Sequence, residues 1–558
     1  MSAAVAPEGL MRTGWGPEEI GMVSHASPNT RAAYMFFSDA RTCKDWLASI
    51  PLTNVPQAQQ QIVDALRNLN RNSDFVPLER LTCMELLRDK VSYLLGEQRA
   101  RYAAKTIPLS HGDVAAWNVS SILISEMEAG YRRCWTEATL EDSSLFAHGA
   151  LIIQRIIRYI GLQMLIAGFI YRRFDPALWM RLHLQWMEAE NRDLTVKRVK
   201  DSIGAIDGYS SVAQAYTAVL LGQAANIHEL TPRQIDFVDA VLKRFGHKVT
   251  VAREGKRNPQ GLVCAVDLLS NAGAGFHTSA AVADHVRMLI VEDLSKSLRR
   301  RLKKLAEGGD PGELDLPAEW SPADAQNQLI RLHRIWCEGT SARPPATVPN
   351  EKSALLAFGI TETHFFMSGI PFKQPGVKSE LSRQEMADIE MFGKVSESTI
   401  RARYADFNYG TETWGIVDES RGHVRLLRPA NSAHGVAIGK LVGIKIGKQE
   451  SFFLGAIREL VEVLDGNIFA TVAMLPGKPE ATTVRSADTR LRVPNYVQAF
   501  RLPPMDALKI PETLIVPPNL AQLGRGIDIF HTGHGSPKEV TVATFYERGL
   551  DFDRITIA

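Results

Sequence analysis

The sequence predicts a multi-domain protein of the α-then-β class: an irregular helical bundle or superhelix, followed by a β-barrel and a second small β element. Three observations carry this. The chain has 558 residues, and a single hydrophobic core stops growing at roughly 250–300 residues, so several domains are expected. Apolar residues recur at helical spacing from Pro56 to about residue 337. After residue 350 the chain turns to short runs rich in aromatic and β-branched residues, broken by Gly, Asn and Pro.

Taken in order, residues 1–50 read as a Pro/Ser-punctuated N-terminal arm. Residues 51–306 read as a helical array. Ile62, Leu66 and Leu69 lie on one helix face, and Pro77 opens a second helix carrying Leu81, Met84, Leu87, Val91 and Leu94. Longer helices are expected over 114–135 and 143–171, then over 176–190 and 211–226. At Thr231 the start signal is complete. Thr231 is the N-cap, Pro232 takes N1 and Gln234 closes a capping box, ahead of the apolar face Ile235, Val238, Val241 and Leu242. Residues 177–191 resemble a tetratricopeptide helix, yet no 34-residue period runs along the chain, so an irregular array is expected rather than a solenoid. The basic run Arg299–Lys304 suits the last turn of a helix, where cations complement the dipole.

Residues 307–350 read as a linker with one helix over 322–337. Residues 351–395 read as a strand-rich connector, including the whole of SALLAFGITETHFFMSGIPF. Residues 396–485 form the expected barrel, with strands at 414–419, 423–429, 441–447, 451–460 and 467–475. Residues 486–558, with strands at 512–518 and 526–530, form a C-terminal β extension or a second barrel.

Composition excludes several functions. With 64 basic and 62 acidic residues the net charge is +2, which argues against DNA or RNA as partner, because phosphate must be offset by a basic surface. Five cysteines, scattered and without a CxxC, support neither a disulfide framework nor a zinc ribbon. The most apolar stretch, Tyr159–Tyr171, is about 13 residues, short of the roughly 20 that span a bilayer, so it is expected to be a buried helix. The N-terminus has no charged-then-apolar signal layout, and a cytoplasmic location is expected.

No catalytic motif, metal site or cofactor is expected. Asn271-Ala-Gly-Ala-Gly275 lies between helix-like segments and lacks a Walker lysine, so it reads as a helix cap and loop. His531 and His534, three apart on a Gly-rich turn, have no accompanying carboxylate or Cys cluster and read as a polar hairpin. Glu188 and Glu190 read as a solvated helix face. No GxSxG or HExxH occurs, so the chain reads as a binding or regulatory protein rather than an enzyme.

One constellation stands apart. In residues 398–429, Arg401 and Arg403 precede a strand that ends in Asp418-Glu-Ser420-Arg-Gly422, and a second strand follows. A later strand carries Phe453, Gly455 and Arg458. Over 396–485 this resembles the PilZ domain, a six-stranded barrel family whose members bind cyclic di-GMP. That family carries an RxxxR pair before the barrel and a (D/N)xSxxG turn. Here Arg401 and Arg403 stand two apart instead of four, and His423 occupies the last motif glycine.

The resemblance implies a cyclic di-GMP site at Arg401, Arg403, Asp418, Ser420 and Gly422. The chemistry suits those residue types. Arginine offers a permanent charge to phosphate and a flat face to guanine. Aspartate accepts from a guanine edge, and a Gly turn lets backbone approach the ligand closely. The implied function is a signalling effector, in which nucleotide binding at the barrel is coupled to protein interaction by the helical region. The alternative is a ligand-free scaffold of the same fold, serving a motility, pilus or envelope system.

Overall fold

The computed structural model describes residues 36–558, apart from 104, 141–142, 280–282, 341–347, 350–351, 370, 376–382, 394–395, 397–408, 421, 430, 463–466, 488–494 and 531–536. It has a helical body followed by two closed six-stranded barrels.

The body runs through α1 (Ala40–Ser49), α2 (Val55–Arg71), α3 (Pro77–Tyr102), α4 (His111–Ala138), α5 (Gly149–Gly168), α6 (Ala177–Asn191), α7 (Val212–Ala224), α8 (Pro232–Phe245), α9 (Glu292–Ala306) and α10 (Pro322–His333). Local chemistry sets the starts. Ser110 caps α4, and Thr231 and Gln234 form the expected reciprocal box at α8. The elements share one apolar core. At its centre is α5, with Ile152, Ile153, Ile156, Ile157 and Ile160 all buried. With the preceding turn, α5 is long and apolar enough to cross a membrane, but most of it is covered by the neighbouring helices. All five cysteines are buried and unbridged.

The body is not purely helical. A two-stranded hairpin, β1 (Val199–Lys200) with β2 (Tyr209–Ser210), precedes α7. A four-stranded antiparallel sheet in the order β3-β6-β4-β5 comes from β3 (Thr250–Ala252), β4 (Val263–Asp267), β5 (Gly275–His277) and β6 (Val286–Ile290). Residues 271–275 therefore connect two strands, not two helices. Runs such as VCAVD and VRMLI are too short for periodicity to separate strand from buried helix.

The first barrel closes as β8-β9-β10-β13-β12-β11, from β8 (Ser353–Phe358), β9 (Glu412–Ser420), β10 (His423–Arg428), β11 (Leu441–Ile446), β12 (Phe453–Glu462) and β13 (Ile468–Met474). A short strand β7 (Val348–Pro349) continues β8 along the same side of β9. This barrel takes a stave from residues 353–358, well ahead of 396. Residues 359–368, read as strand from their aromatic and β-branched content, instead form a helix, α11 (Gly359–Ser368). A further helix, α12, spans Arg383–Phe392.

The second barrel is β14-β15-β16-β19-β18-β17, from β14 (Glu480–Ser486), β15 (Val497–Leu502), β16 (Thr513–Val516), β17 (Gly526–Phe530), β18 (Lys538–Arg548) and β19 (Asp553–Ile557). Leu441, Leu454 and Ala456 of the first barrel share an apolar cluster with Phe500, Ile515 and Phe552 of the second, and Ile360 of α11 packs into it. The Asp551 carboxylate accepts the Leu441 N–H at 2.8 Å across this seam.

The helical body enters the first barrel directly. Ile107 and Tyr171 belong to that barrel's core, beside Trp414, Leu426 and Ile438. Ile107 exchanges two backbone hydrogen bonds with Val436. Arg172 makes two hydrogen bonds to the Glu462 carboxylate, at 3.0 and 3.1 Å.

Candidate ligand-binding site

The β9–β10 hairpin carries the sequence motif. Ser420 pairs with His423, so Gly422 sits in the connecting turn at φ +79°, in the left-handed region that favours glycine. Its carbonyl accepts the Met474 N–H at 2.8 Å, which ties the turn to the end of β13. His423, which replaces the last motif glycine, is the first residue of β10 and needs no special backbone.

A tight turn fixes the register. Glu419 faces Val424, and Asp418 faces Arg425. Beyond that pair the register shifts: Ile416 faces Leu426, leaving Val417 as the extra residue of a bulge. Trp414 and Ile416 point into the barrel core, whereas the bulge turns Asp418 onto the face shared with Arg425. Asp418 and Arg425 form an ion pair in which the carboxylate is buried and about a third of the guanidinium side chain, 34%, remains exposed. The Arg425 guanidinium also lies 5.8 Å above the Phe469 ring.

The row continues across the sheet. Arg425 faces Thr471 on β13, and Thr471 faces Glu459 on β12. The Thr471 hydroxyl donates to the Glu459 carboxylate at 2.6 Å. Glu459 in turn acts on His228, in the short helical turn Ile227–Glu229 that packs on β12. Burial pushes the His228 imidazole down to about 4, against the raising influence of Glu459 and together with that of Arg173. Asp418, Arg425, Thr471 and Glu459 thus stand in a row across β9, β10, β13 and β12, and the turn carrying His228 packs on the last of these strands.

The opposite end of β9 is fixed by Glu412. Its carboxylate accepts from the Trp414 indole at 2.9 Å, the His434 N–H at 2.9 Å, the His434 ring at 2.8 Å and the Ser432 hydroxyl. Burial by itself would push this acid up, but these donors hold it down to about 2. His434 stacks on Phe358, 4.9 Å between centroids. The loop so held leads to Val436 and hence to Ile107.

Asp418, Ser420 and Gly422 are therefore brought together in one hairpin. Arg401 and Arg403 lie outside the described residues, as do His531 and His534. Arg458 points elsewhere, pairing with Glu547 of the second barrel at 2.5 Å. Glu190 is not a solvated face: it holds the buried Arg287 guanidinium of β6 at 2.5 Å. Sequence reasoning missed Arg425, Thr471, Glu459 and Glu412. For Arg425 the signal was present, since a two-residue turn between Ser420 and His423 sets it opposite Asp418.

Residues 41–255 match the family model described as the N-terminal domain of the cyclic-di-GMP receptor FimW. No solved structure matches the chain. A curated relative is the cyclic-di-GMP receptor FimW of Pseudomonas aeruginosa, 22% identical over 559 aligned positions. The alignment covers 90% of this chain and 88% of the relative, so the similarity takes in helical body and barrels alike.

Proposed function

We propose that the chain is a cytoplasmic cyclic di-GMP receptor, a signalling effector whose first barrel is a divergent PilZ-like sensor. The observation that carries this is the Asp418–Arg425 pair beside the Gly422 turn, in a chain that aligns over nine-tenths of its length with a cyclic-di-GMP receptor. In this reading Arg401 and Arg403 meet the phosphates from the segment ahead of β9. Arg425 supplies the planar cation that the spacing of those two arginines leaves wanting. Asp418 accepts from a guanine edge, and Ser420 and Gly422 bring backbone close to the second purine.

Binding shifts only states that the ligand distinguishes. A dianion that draws the Arg425 guanidinium from Asp418 alters the first member of the row through Thr471 to Glu459, on whose strand the turn carrying His228 packs. The helical body would respond by changing its contacts with a protein partner.

Calorimetry of the full chain with cyclic di-GMP tests this. Saturable heat is expected, with affinity lowered at least tenfold in Asp418→Ala, Arg425→Ala and Arg403→Ala. Heat that survives unchanged in all three variants moves the site elsewhere. Absence of heat far above micromolar ligand leaves the rival reading, a ligand-free scaffold for a motility, pilus or envelope system.

A further inference from the structure

The helical body holds a partly open cavity of about 1030 Å³ between α3, α5, α7 and α8, with the β1–β2 hairpin on one side. This is at the upper end of small-molecule pockets. Its inner walls are apolar, with Leu95, Leu162, Phe169, Val219 and Leu242 among them. Its inner end carries a charge imbalance. Asp201, fully buried, meets Arg88 at 3.0 Å, Arg158 at 3.4 Å and Arg155 at 3.6 Å. Glu85 is the second carboxylate of this group, 2.8 Å from Arg155 and 3.5 Å from Arg88. Three guanidiniums thus share two carboxylates. Of the nearby carboxylates, Asp236 pairs with Arg99, and Asp239 pairs with Lys243 while its charge also reaches Arg158. Arg158, on the cavity wall, donates from Nη2 to the Gly204 carbonyl at 2.9 Å and to the Ser210 hydroxyl at 3.4 Å, but its buried Nε has no hydrogen-bond partner among the described residues.

A surplus cation against apolar walls is costly unless an anion joins it. We infer that this cavity is a second ligand site, for an amphipathic anion whose single acidic head meets Arg158 and Arg88 and whose apolar body lies along α3, α5 and α7. The mouth suits such an occupant. Ile206 and Tyr209, on the β1–β2 hairpin, line the mouth while remaining 58% and 50% exposed. Burial lowers the Arg158 pKa, against the raising influence of Asp201 and Asp239. The site is separate from the hairpin of the first barrel, although Ile227 and Leu230 line it from the turn that packs on β12.

The test uses the full chain and two fluorescent probes, 1-anilinonaphthalene-8-sulfonate and the neutral N-phenyl-1-naphthylamine. The sulfonate is expected to bind saturably at one site, and dodecanoate or dodecyl phosphate to displace it. Which of the two displaces it identifies the head group as carboxylate or phosphate. Gly96 lines the cavity, and a Cβ built there meets nothing within 4 Å, so Gly96→Phe should fill the space without a clash and abolish binding. Gly222→Leu, on α7, serves as the second occluding variant, since its Cβ comes no nearer than 3.6 Å to Leu242. Arg158→Gln should weaken the sulfonate more than tenfold and leave the neutral probe unchanged, and Arg158→Lys should restore most of the difference. The inference is overturned if binding is not saturable, if both occluding variants fold and bind normally, or if Arg158→Gln weakens both probes equally. Displacement of the sulfonate by cyclic di-GMP would also overturn it. Loss of cyclic di-GMP binding at the barrel would leave it standing.

Discussion

Arg425 on β10 stands directly across the hairpin from Asp418 on β9 and is the cation of that buried carboxylate. Removing the cation alone takes a charge partner from the buried acid. Breaking a fully buried pair costs about 3–5 kcal/mol. With a third of the Arg425 side chain exposed, Arg425→Met should cost about 1–3 kcal/mol. The double variant Asp418→Asn/Arg425→Met should be more stable than Arg425→Met. Urea denaturation of the four proteins in that cycle checks this; a double variant less stable than Arg425→Met would show that the pair is not coupled.

Tyr171 joins the body to the first barrel. It lies in the barrel core at φ 60°, a backbone conformation unfavourable to a bulky residue. Tyr171→Ala should cost about 3–5 kcal/mol and split calorimetric unfolding into separate body and barrel transitions. Tyr171→Gly should cost less than Tyr171→Ala by roughly 1 kcal/mol, because glycine accepts that backbone freely. Arg172→Ala, which removes a partly exposed ion pair, should cost no more than about 1 kcal/mol.

His228 makes the junction sensitive to pH. Its folded pKa, pushed down to about 4 by burial, lies below the ordinary 6.5. The unfolded chain therefore binds the proton more readily, so stability is full above about pH 6.5 and falls as pH drops toward 4. His183 and His364, also lowered by burial, act in the same direction. Urea midpoints measured from pH 7.5 to 5 should decline, and His228→Gln should flatten part of that decline. An unchanged slope in the variant would remove His228 from the account.

Glu412 acts at lower pH. Its donors hold it at about 2, below the ordinary 4.5. The stability it contributes is present above about pH 4.5 and is lost as pH falls toward 2. Glu412→Gln should be less stable than the parent at pH 6, with the gap narrowing by pH 3. A gap that stays constant over that range would count against an ionised Glu412.

Much of this was legible in the residues. Thr231, Pro232 and Gln234 announce α8, because a capping box is a contact within four residues. The strands β9 to β13 follow from alternation between turn residues, and the hairpin register follows from the turn length. Where long-range packing decides, the sequence was silent. Nothing local in SALLAF indicates that β8 pairs with β9 on one side and β11 on the other. α11 has strand-like composition, yet its place between the two barrels makes it a helix. Ile107 and Tyr171 read as parts of the helical array, and only the fold shows that they complete another domain's core.

The membership of β8 has a practical result for anyone who cuts the chain. A fragment beginning at residue 396 would leave β9 and β11 facing each other across the missing stave, each with a row of unpaired backbone amides and carbonyls. Such edges associate with one another or with other chains. The first barrel is therefore not a detachable cassette. Ligand measurements on it belong to the uncut polypeptide, and transplanting it to a new host requires carrying 348–358 along.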